Sequence, residues 1–411
     1  MDKFVIEEGV LNQPWLTAIA RNQANAARLL DRSEEEQHNS GYFHTVREIL
    51  QQPATWRQTA TQLAAISDEL QNTIAGIKTL VLTGSGSSEY AGECVCLPLQ
   101  NSLSISARAI SGGRLLTYGG KAIPPERPGL IISLARSGDS PESEGALSLL
   151  LETEPELRHL IVTCNAEGRL ATNHRDDPRV TVVVLAKETN DRSLVMTSSF
   201  TNMVLAAGFL RFARTPNQFL SLVEGLSVAA KSLLFTYLDT LADLAIRDFK
   251  RVVFLGSGPR LGAARESALK MLEMTAGRVW ATCESYLGLR HGPMSAVHPD
   301  TLIVCFLSSD PFVRAYECDL IRELNQKQLG MAKLIFGEEI PPDLARRGDV
   351  VIDCAGLAKL GDDNMPVLDV ILGQLLALFR CLKEGLHPDS PSSDGVISRV
   401  VQDFTLHLPE D

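Results

Sequence analysis

A short apolar strand that runs directly into a glycine-serine turn occurs twice in this chain, and the pair constrains the fold more than any other feature. Thr79-Leu80-Val81-Leu82-Thr83 leads into Gly84-Ser85-Gly86-Ser87-Ser88, and Arg251-Val252-Val253-Phe254-Leu255 leads into Gly256-Ser257-Gly258-Pro259. Each reads as strand, turn and helix start, the opening of a βαβ unit. Further apolar runs at 129–134, 160–164 and 180–185 follow the first turn, and runs at 301–307, 331–336 and 350–354 follow the second. Continuous runs, rather than alternating ones, belong to strands covered on both faces. The expected architecture is α/β: two tandem units, a weak internal repeat, each a mostly parallel sheet flanked by helices. Residues 1–50 read as a helical extension. Its helix over 15–30 carries Leu16, Ile19, Ala20, Ala27 and Leu30 on one face, interrupted by the polar Gln23. The first domain is expected over 51–215. The second, expected over 216–411, opens at the turn Thr215-Pro216-Asn217.

Charge narrows the partners. A formal net charge of −11 argues against a nucleic-acid or anionic-membrane surface and favours a small-molecule partner. The first ten residues are acidic and lack an apolar core, so they do not read as a secretory signal. The most apolar run, 367–379, is interrupted by Asp369 and Gln374 and is too short to span a bilayer. A cytoplasmic protein is expected. Of the 8 cysteines, Cys94 and Cys96 stand two apart and the others are isolated, which is neither a disulfide framework nor a zinc pair. Position 2 is Asp, so no cysteine serves as an N-terminal nucleophile.

Two serine-rich loops sit at the ends of two strands: Gly84-Ser85-Gly86-Ser87-Ser88 and Ser137-Gly138-Asp139-Ser140, where Ser140 reads as an N-cap followed by Pro141. Backbone amides at a helix start, with hydroxyls beside them, accept an anion. Glu89 stands where a dinucleotide fingerprint needs its third glycine, and no GKS or GKT follows. Either loop alone is ordinary turn chemistry; together they point to a phosphate monoester. Arg136 either adds charge there or lies in solvent.

The stretch 270–293 places titratable groups where an apolar core pattern would not. Lys270 and Glu273 share a helix face at i, i+3. Glu284 and Ser285 follow, and then Arg290-His291-Gly292-Pro293, a turn that presents the histidine. A carboxylate and an imidazole can meet in one pocket. The plainer reading is a solvated ion pair and a loop histidine.

Together the 84–88 loop, the 137–140 loop, the Glu273 helix and the Glu284-Ser285…His291-Gly292-Pro293 run resemble the sugar isomerase (SIS) family over residues 50–405. The chain is similar to the isomerase half of glucosamine-6-phosphate synthase and, in particular, to stand-alone bacterial galactosamine-6-phosphate deaminase/isomerases. SGDSPES, ESYLGLRHGP and PSSDGVISRVV are the specific signals. The resemblance implies tandem SIS domains, a sugar-phosphate substrate, no metal or organic cofactor, and a homo-oligomer with sites near a subunit interface. By it, Gly86, Ser87, Ser88, Ser137 and Ser140 contact the phosphate, and Thr197 and Ser198 line the sugar pocket. Glu273 is the base, Lys270 its neighbour, and His291 opens the ring, reaching in from a second subunit. Ala135 departs from the synthase pattern, where a serine is usual. The synthase tail carries an imine-forming lysine; Ser398 and Arg399 stand in that region here, and a permanently protonated arginine cannot form an imine.

For a 2-amino aldose 6-phosphate, a histidine titrating near neutrality suits ring opening, and one carboxylate suits moving the proton from C2 to C1. Water then attacks the C2 imine, releasing ammonia and a ketose phosphate. With no glutaminase segment to supply ammonia, release is the expected direction: galactosamine 6-phosphate to tagatose 6-phosphate. An isomerase that stops before hydrolysis, or a non-catalytic sugar-phosphate sensor, are the alternatives. Glu284 is the rival base, its other role being to anchor its loop through backbone hydrogen bonds.

Overall fold

The computed structural model describes residues 13–392, 395–400 and 404–407. The N-terminal ten residues, Asp2, and Ser393, Asp394 and Val401 of the tail motif lie outside these.

Two five-stranded parallel sheets form the frame. The first comprises β1 (Thr79–Gly84), β2 (Ser106–Ser111), β3 (Gly129–Ala135), β4 (Leu157–Thr163) and β5 (Val180–Val184), ordered β2-β1-β3-β4-β5. The second comprises β6 (Arg251–Leu255), β7 (Trp280–Glu284), β8 (Thr301–Phe306), β9 (Ala332–Gly337) and β10 (Val350–Asp353), ordered β10-β9-β8-β6-β7. The windings match strand for strand, β6 corresponding to β1 and β8 to β3. In each sheet the chain reverses direction across the first strand, leaving a crevice at the carboxyl ends of β1 and β3, and of β6 and β8. The central strands are covered on both faces, as their apolar runs imply; β1 and β3 are buried throughout.

The edge strand β2 carried no such signal. In its SARAIS sequence only Ala107 and Ile110 are buried, on opposite faces, so no continuous apolar run marks the strand.

The expected helix over 15–30 is instead two, Gln13–Asn22 and Ala24–Leu30, broken at Gln23 with φ −129°. The cause is tertiary. Gln23 accepts from the Asp239 amide at 2.8 Å and donates to the Phe235 carbonyl. Asp239 in turn accepts from the amides of Ala24 (2.6 Å) and Asn25 (2.8 Å), capping the second piece.

One apolar core joins the halves: Leu80, Leu82 and Leu130 of the first sheet belong to the same packed cluster as Val252, Phe254 and Val304 of the second. Helices Ser87–Leu103, Ser198–Gly208, Pro216–Ala245, Pro259–Met274 and Pro366–Lys383 contribute to it. Among the described residues Pro216–Ala245 is the one helix long and apolar enough to cross a membrane; its Phe219, Val223, Leu226 and Leu233 are buried in this core. Helix Pro366–Lys383 holds the apolar 367–379 run and is buried along nearly its whole length. Each fully buried leucine contributes roughly 1.5–3 kcal/mol, and the helix carries Asp369 and Gln374 inward because both are satisfied. Asp369 pairs with Arg260 at 2.6 Å, and Gln374 accepts from Gln52 at 2.8 Å. All 8 cysteines are free, most of them buried.

Candidate active site

The site begins where β1 ends. Gly84 must be glycine because a Cβ there would lie 2.4 Å from the Ser88 Cβ and 3.0 Å from the Leu134 carbonyl oxygen. Gly86, at φ 58° and ψ −123°, then turns the chain into helix Ser87–Leu103 in a conformation L side chains avoid. Facing it, the loop after β3 passes through Gly138 (φ 71°) into helix Pro141–Thr153. The Asn165 side chain holds the Ser137 carbonyl at 2.8 Å. Ser140 stands at the N-cap position but makes no cap bond; its hydroxyl donates to Glu142 at 2.6 Å.

Between these loops lies a cavity of about 160 Å³ lined by Ser85, Ser88, Arg136, Ser137, Gly138, Ser140 and Ser143, with Leu134, Ala135 and Met196, and by Ser398, Arg399 and Val400 of the tail. Arg136 is not in solvent: it is 7% exposed. Its Nη1 donates to the carbonyls of Ser193 (3.2 Å) and Leu194 (2.8 Å), and its Nη2 to that of Arg399 (3.2 Å). Burial lowers its proton affinity, while Asp191, Glu48 and Glu273 oppose that effect. Glu48, deeply buried against the same 192–193 backbone, has a pKa pushed up to about 8 by burial first and by Asp191 second. With two arginines at its wall, the cavity favours an anion.

Beside it stands an acid-base cluster on helix Pro259–Met274. Lys270, fully buried, places Nζ 2.5 Å from Glu273 Oε2, 3.3 Å from Glu266 Oε1 and 3.0 Å from the Ser87 hydroxyl oxygen, to which it donates. Burial alone would lower the Lys270 pKa; the two carboxylates outweigh it and raise it. Glu266 is fully buried, with Lys270 Nζ 3.3 Å from its Oε1 and Ser87 beside it. Burial, and then the charge of Glu273, push its pKa up to about 7 against the pull of Lys270. The Glu273 side chain is 24% exposed, so it is the member of the cluster that reaches solvent.

The other expected residues are placed elsewhere. Thr197 and Ser198 do not line the cavity: both are fully buried, and their amides donate to Asp191 at 2.7 and 3.2 Å. Asp191 also takes the Ser199 amide at 2.9 Å, capping helix Ser198–Gly208, so these groups are consumed by structure. Ser87 turns to Lys270 rather than into the cavity. Glu284, half-buried at the end of edge strand β7, accepts from the Ser285 amide at 2.8 Å and lies over Gly288. His291 is exposed beyond it, outside the cavity wall of its own chain. Arg399 does reach the cavity and donates to Asn190 at 2.6 Å. Among the described residues no group of three or more His, Cys, Asp or Glu is placed to hold a metal.

No family model matches the chain. A Streptomyces coelicolor protein carrying the AgaS name is 37% identical over 379 residues, covering 90% of this chain and 96% of that protein. The D-galactosamine-6-phosphate deaminase AgaS of Shewanella sp. strain ANA-3 is 34% identical, covering 91% of this chain and 94% of its own. The chain belongs to the AgaS family. The solved structure of tagatose-6-phosphate ketose/aldose isomerase from Escherichia coli superposes with a TM-score of 0.77 at 32% identity, over 86% of this chain and 95% of that one. The fold of this AgaS-family chain is thus the tandem SIS arrangement.

Within it, sequence reasoning passed over Glu266, and over Ser85 and Ser143 as cavity residues. Glu266 had a signal: Glu266, Lys270 and Glu273 fall at i, i+4 and i+7 on one helical face. Ser143 had none beyond its place in the first turn of a helix.

Proposed function

We propose that the chain is an amino-sugar-phosphate deaminase that converts galactosamine 6-phosphate to tagatose 6-phosphate and ammonia. The observation that carries the reading is Lys270, which donates to Ser87, the first helical residue after the Gly86 turn, and pairs with Glu273 at 2.5 Å. It fixes an acid beside an anion cavity. The deaminase name of the Shewanella relative supports the same chemistry.

In this reading Ser85, Ser88, Ser137 and Ser140 cradle the phosphate with Arg136 and Arg399, helped by the amides around Gly86. The open-chain aldehyde extends toward Glu273. Glu273 takes the C2 proton, the carbonyl oxygen at C1 gains a proton, and an enolamine forms; Glu273 returns its proton to C1, leaving an iminium at C2. Water adds to C2, and the carbinolamine expels ammonia to give the ketone. Lys270 holds Glu273 in place by pairing with it at 2.5 Å. Glu284 serves as a loop anchor, supported by its bond to the Ser285 amide.

His291 opens the ring from a second copy of the chain, which its exposed position at the β7 edge supports. The protein works as a homo-oligomer in the cytoplasm, where phosphorylated sugars are retained, in the breakdown of N-acetylgalactosamine. Purified protein offered galactosamine and glucosamine 6-phosphates side by side is expected to release ammonia from the first. Interconversion of tagatose 6-phosphate with its aldose, and no ammonia from either amino sugar, would leave the isomerase reading that the Escherichia coli structure's name favours.

A further inference from the structure

The second half repeats the backbone of the first half's site with different contents. Gly258 (φ 54°, ψ −128°) matches Gly86 (φ 58°, ψ −123°), and Ser257 stands where Ser85 does. Ser308 falls two residues past the end of β8, as Ser137 does past β3, and Asp310-Pro311 opens the next helix as Ser140-Pro141 does.

What borders an open cavity in the first half surrounds the side chain of Asp362 in the second. Ser309 donates its amide at 2.9 Å and its hydroxyl at 2.8 Å to Oδ1 of Asp362, and the Ser308 hydroxyl donates to Oδ2. Arg260 Nη1 donates to the Leu307 carbonyl and brings its charge to 3.9 Å from Oδ1. Ser308 and Arg260 are each 1% exposed. Two hydroxyls and an amide donating to two anionic oxygens, with a guanidinium charge alongside, are what an oxyanion site offers. The neighbouring groups are committed elsewhere: Glu317 takes the Ser308 amide at 2.7 Å, and Asp369 takes the remaining edge of Arg260 at 2.6 and 2.8 Å. Burial opposes the charge on Asp362, but Ser308, Ser309 and Arg260 outweigh it and hold its pKa below the usual carboxylate range.

We propose that the crevice between β6 and β8 is a second oxyanion site, of the class that takes a phosphate, plugged by the chain's own Asp362, so that each chain keeps one open phosphate site. The inference rests on reading the first-half cavity as the phosphate site. Asp362 then also has a structural role, since the plug ties the turn before the buried Pro366–Lys383 helix to the β8 loop.

The test is calorimetric titration of inorganic phosphate into wild type, Asp362→Gly, and Asp362→Gly carrying Ser308→Ala and Ser309→Ala. The expected result is one more equivalent per chain in D362G than in wild type, lost again in the triple variant. Equal stoichiometry in wild type and D362G, or an extra equivalent that survives loss of both serines, overturns the plug. Should D362G be too unstable to titrate, its melting temperature is compared with and without phosphate. A phosphate-induced rise exceeding that of wild type supports the plug, and an equal or smaller rise overturns it. Wild type binding no phosphate while D362G binds one equivalent would remove the first-half reading and leave the plug standing.

Discussion

Lys270 and Ser87 are 183 residues apart in the chain, yet the Nζ of one donates to the hydroxyl oxygen of the other at 3.0 Å. One contact therefore couples the turn beside the cavity to the helix that carries Glu273, and the placement of the proposed base depends on how the two halves pack.

Replacing Glu273 with Gln removes the proposed proton carrier and keeps the side chain's shape. Loss of a positioned base lowers turnover about 10²–10⁴-fold, with KM for galactosamine 6-phosphate changed only a few-fold, since the phosphate cradle is untouched. A coupled ammonia assay reads both. Turnover at the parent rate would transfer the role to another residue.

Lys270→Met leaves Glu266 and Glu273 without their shared cation. Breaking a buried pair by removing one partner costs about 3–5 kcal/mol, read as a lower urea midpoint. Glu266→Gln costs less at neutral pH, because its pKa near 7 already leaves much of it protonated. The double variant should lose less than the sum of the two single losses, since the residues share one network. Additive losses would mean the pair does not interact as the distances imply.

Glu48 has a pKa raised from 4.5 to about 8, so the folded protein keeps a proton that the unfolded chain has released. Its contribution to stability is full below pH 4.5, declines as pH rises through that interval, and is gone above about 8. Glu48→Gln cannot lose this proton. The melting temperature of wild type relative to E48Q should therefore fall between about pH 5 and about pH 9. A pH-independent difference would mean that Glu48 is ionised in the folded protein.

Gly86→Ala and Gly258→Ala force the same strained backbone, at about 1–3 kcal/mol each. Both should lower the melting temperature, but G86A alone should raise KM, because only its loop borders the open cavity. A comparable KM rise in G258A would contradict that asymmetry between the halves.

The parts of the fold legible in the sequence were those whose cause is local. The central strands β1, β3 and β6 announce themselves because burial on both faces demands a continuous apolar run, and the glycine turns do so because few residues tolerate their dihedrals. The edge strand β2 and the break at Gln23 stayed hidden, the first for lack of that run and the second because its partners, Phe235 and Asp239, lie on the long helix more than 200 residues away. The same division holds at the site. Ser88, Ser137 and Ser140 of the two loops border the cavity, whereas Ser87 faces Lys270 and Ser85 gave no separate signal. Whether a hydroxyl faces a cavity or a buried carboxylate depends on tertiary neighbours, and so Thr197 and Ser198, spent on Asp191, looked the same in sequence as Ser88 and Ser137.

The shared core of the two sheets has a consequence for how the molecule comes apart. Because Leu82 and Phe254 belong to one packed cluster, neither half has a complete interior of its own. Heating should melt the chain in a single calorimetric transition, and a fragment ending near residue 215 should be left with an exposed oily face that drives it to aggregate.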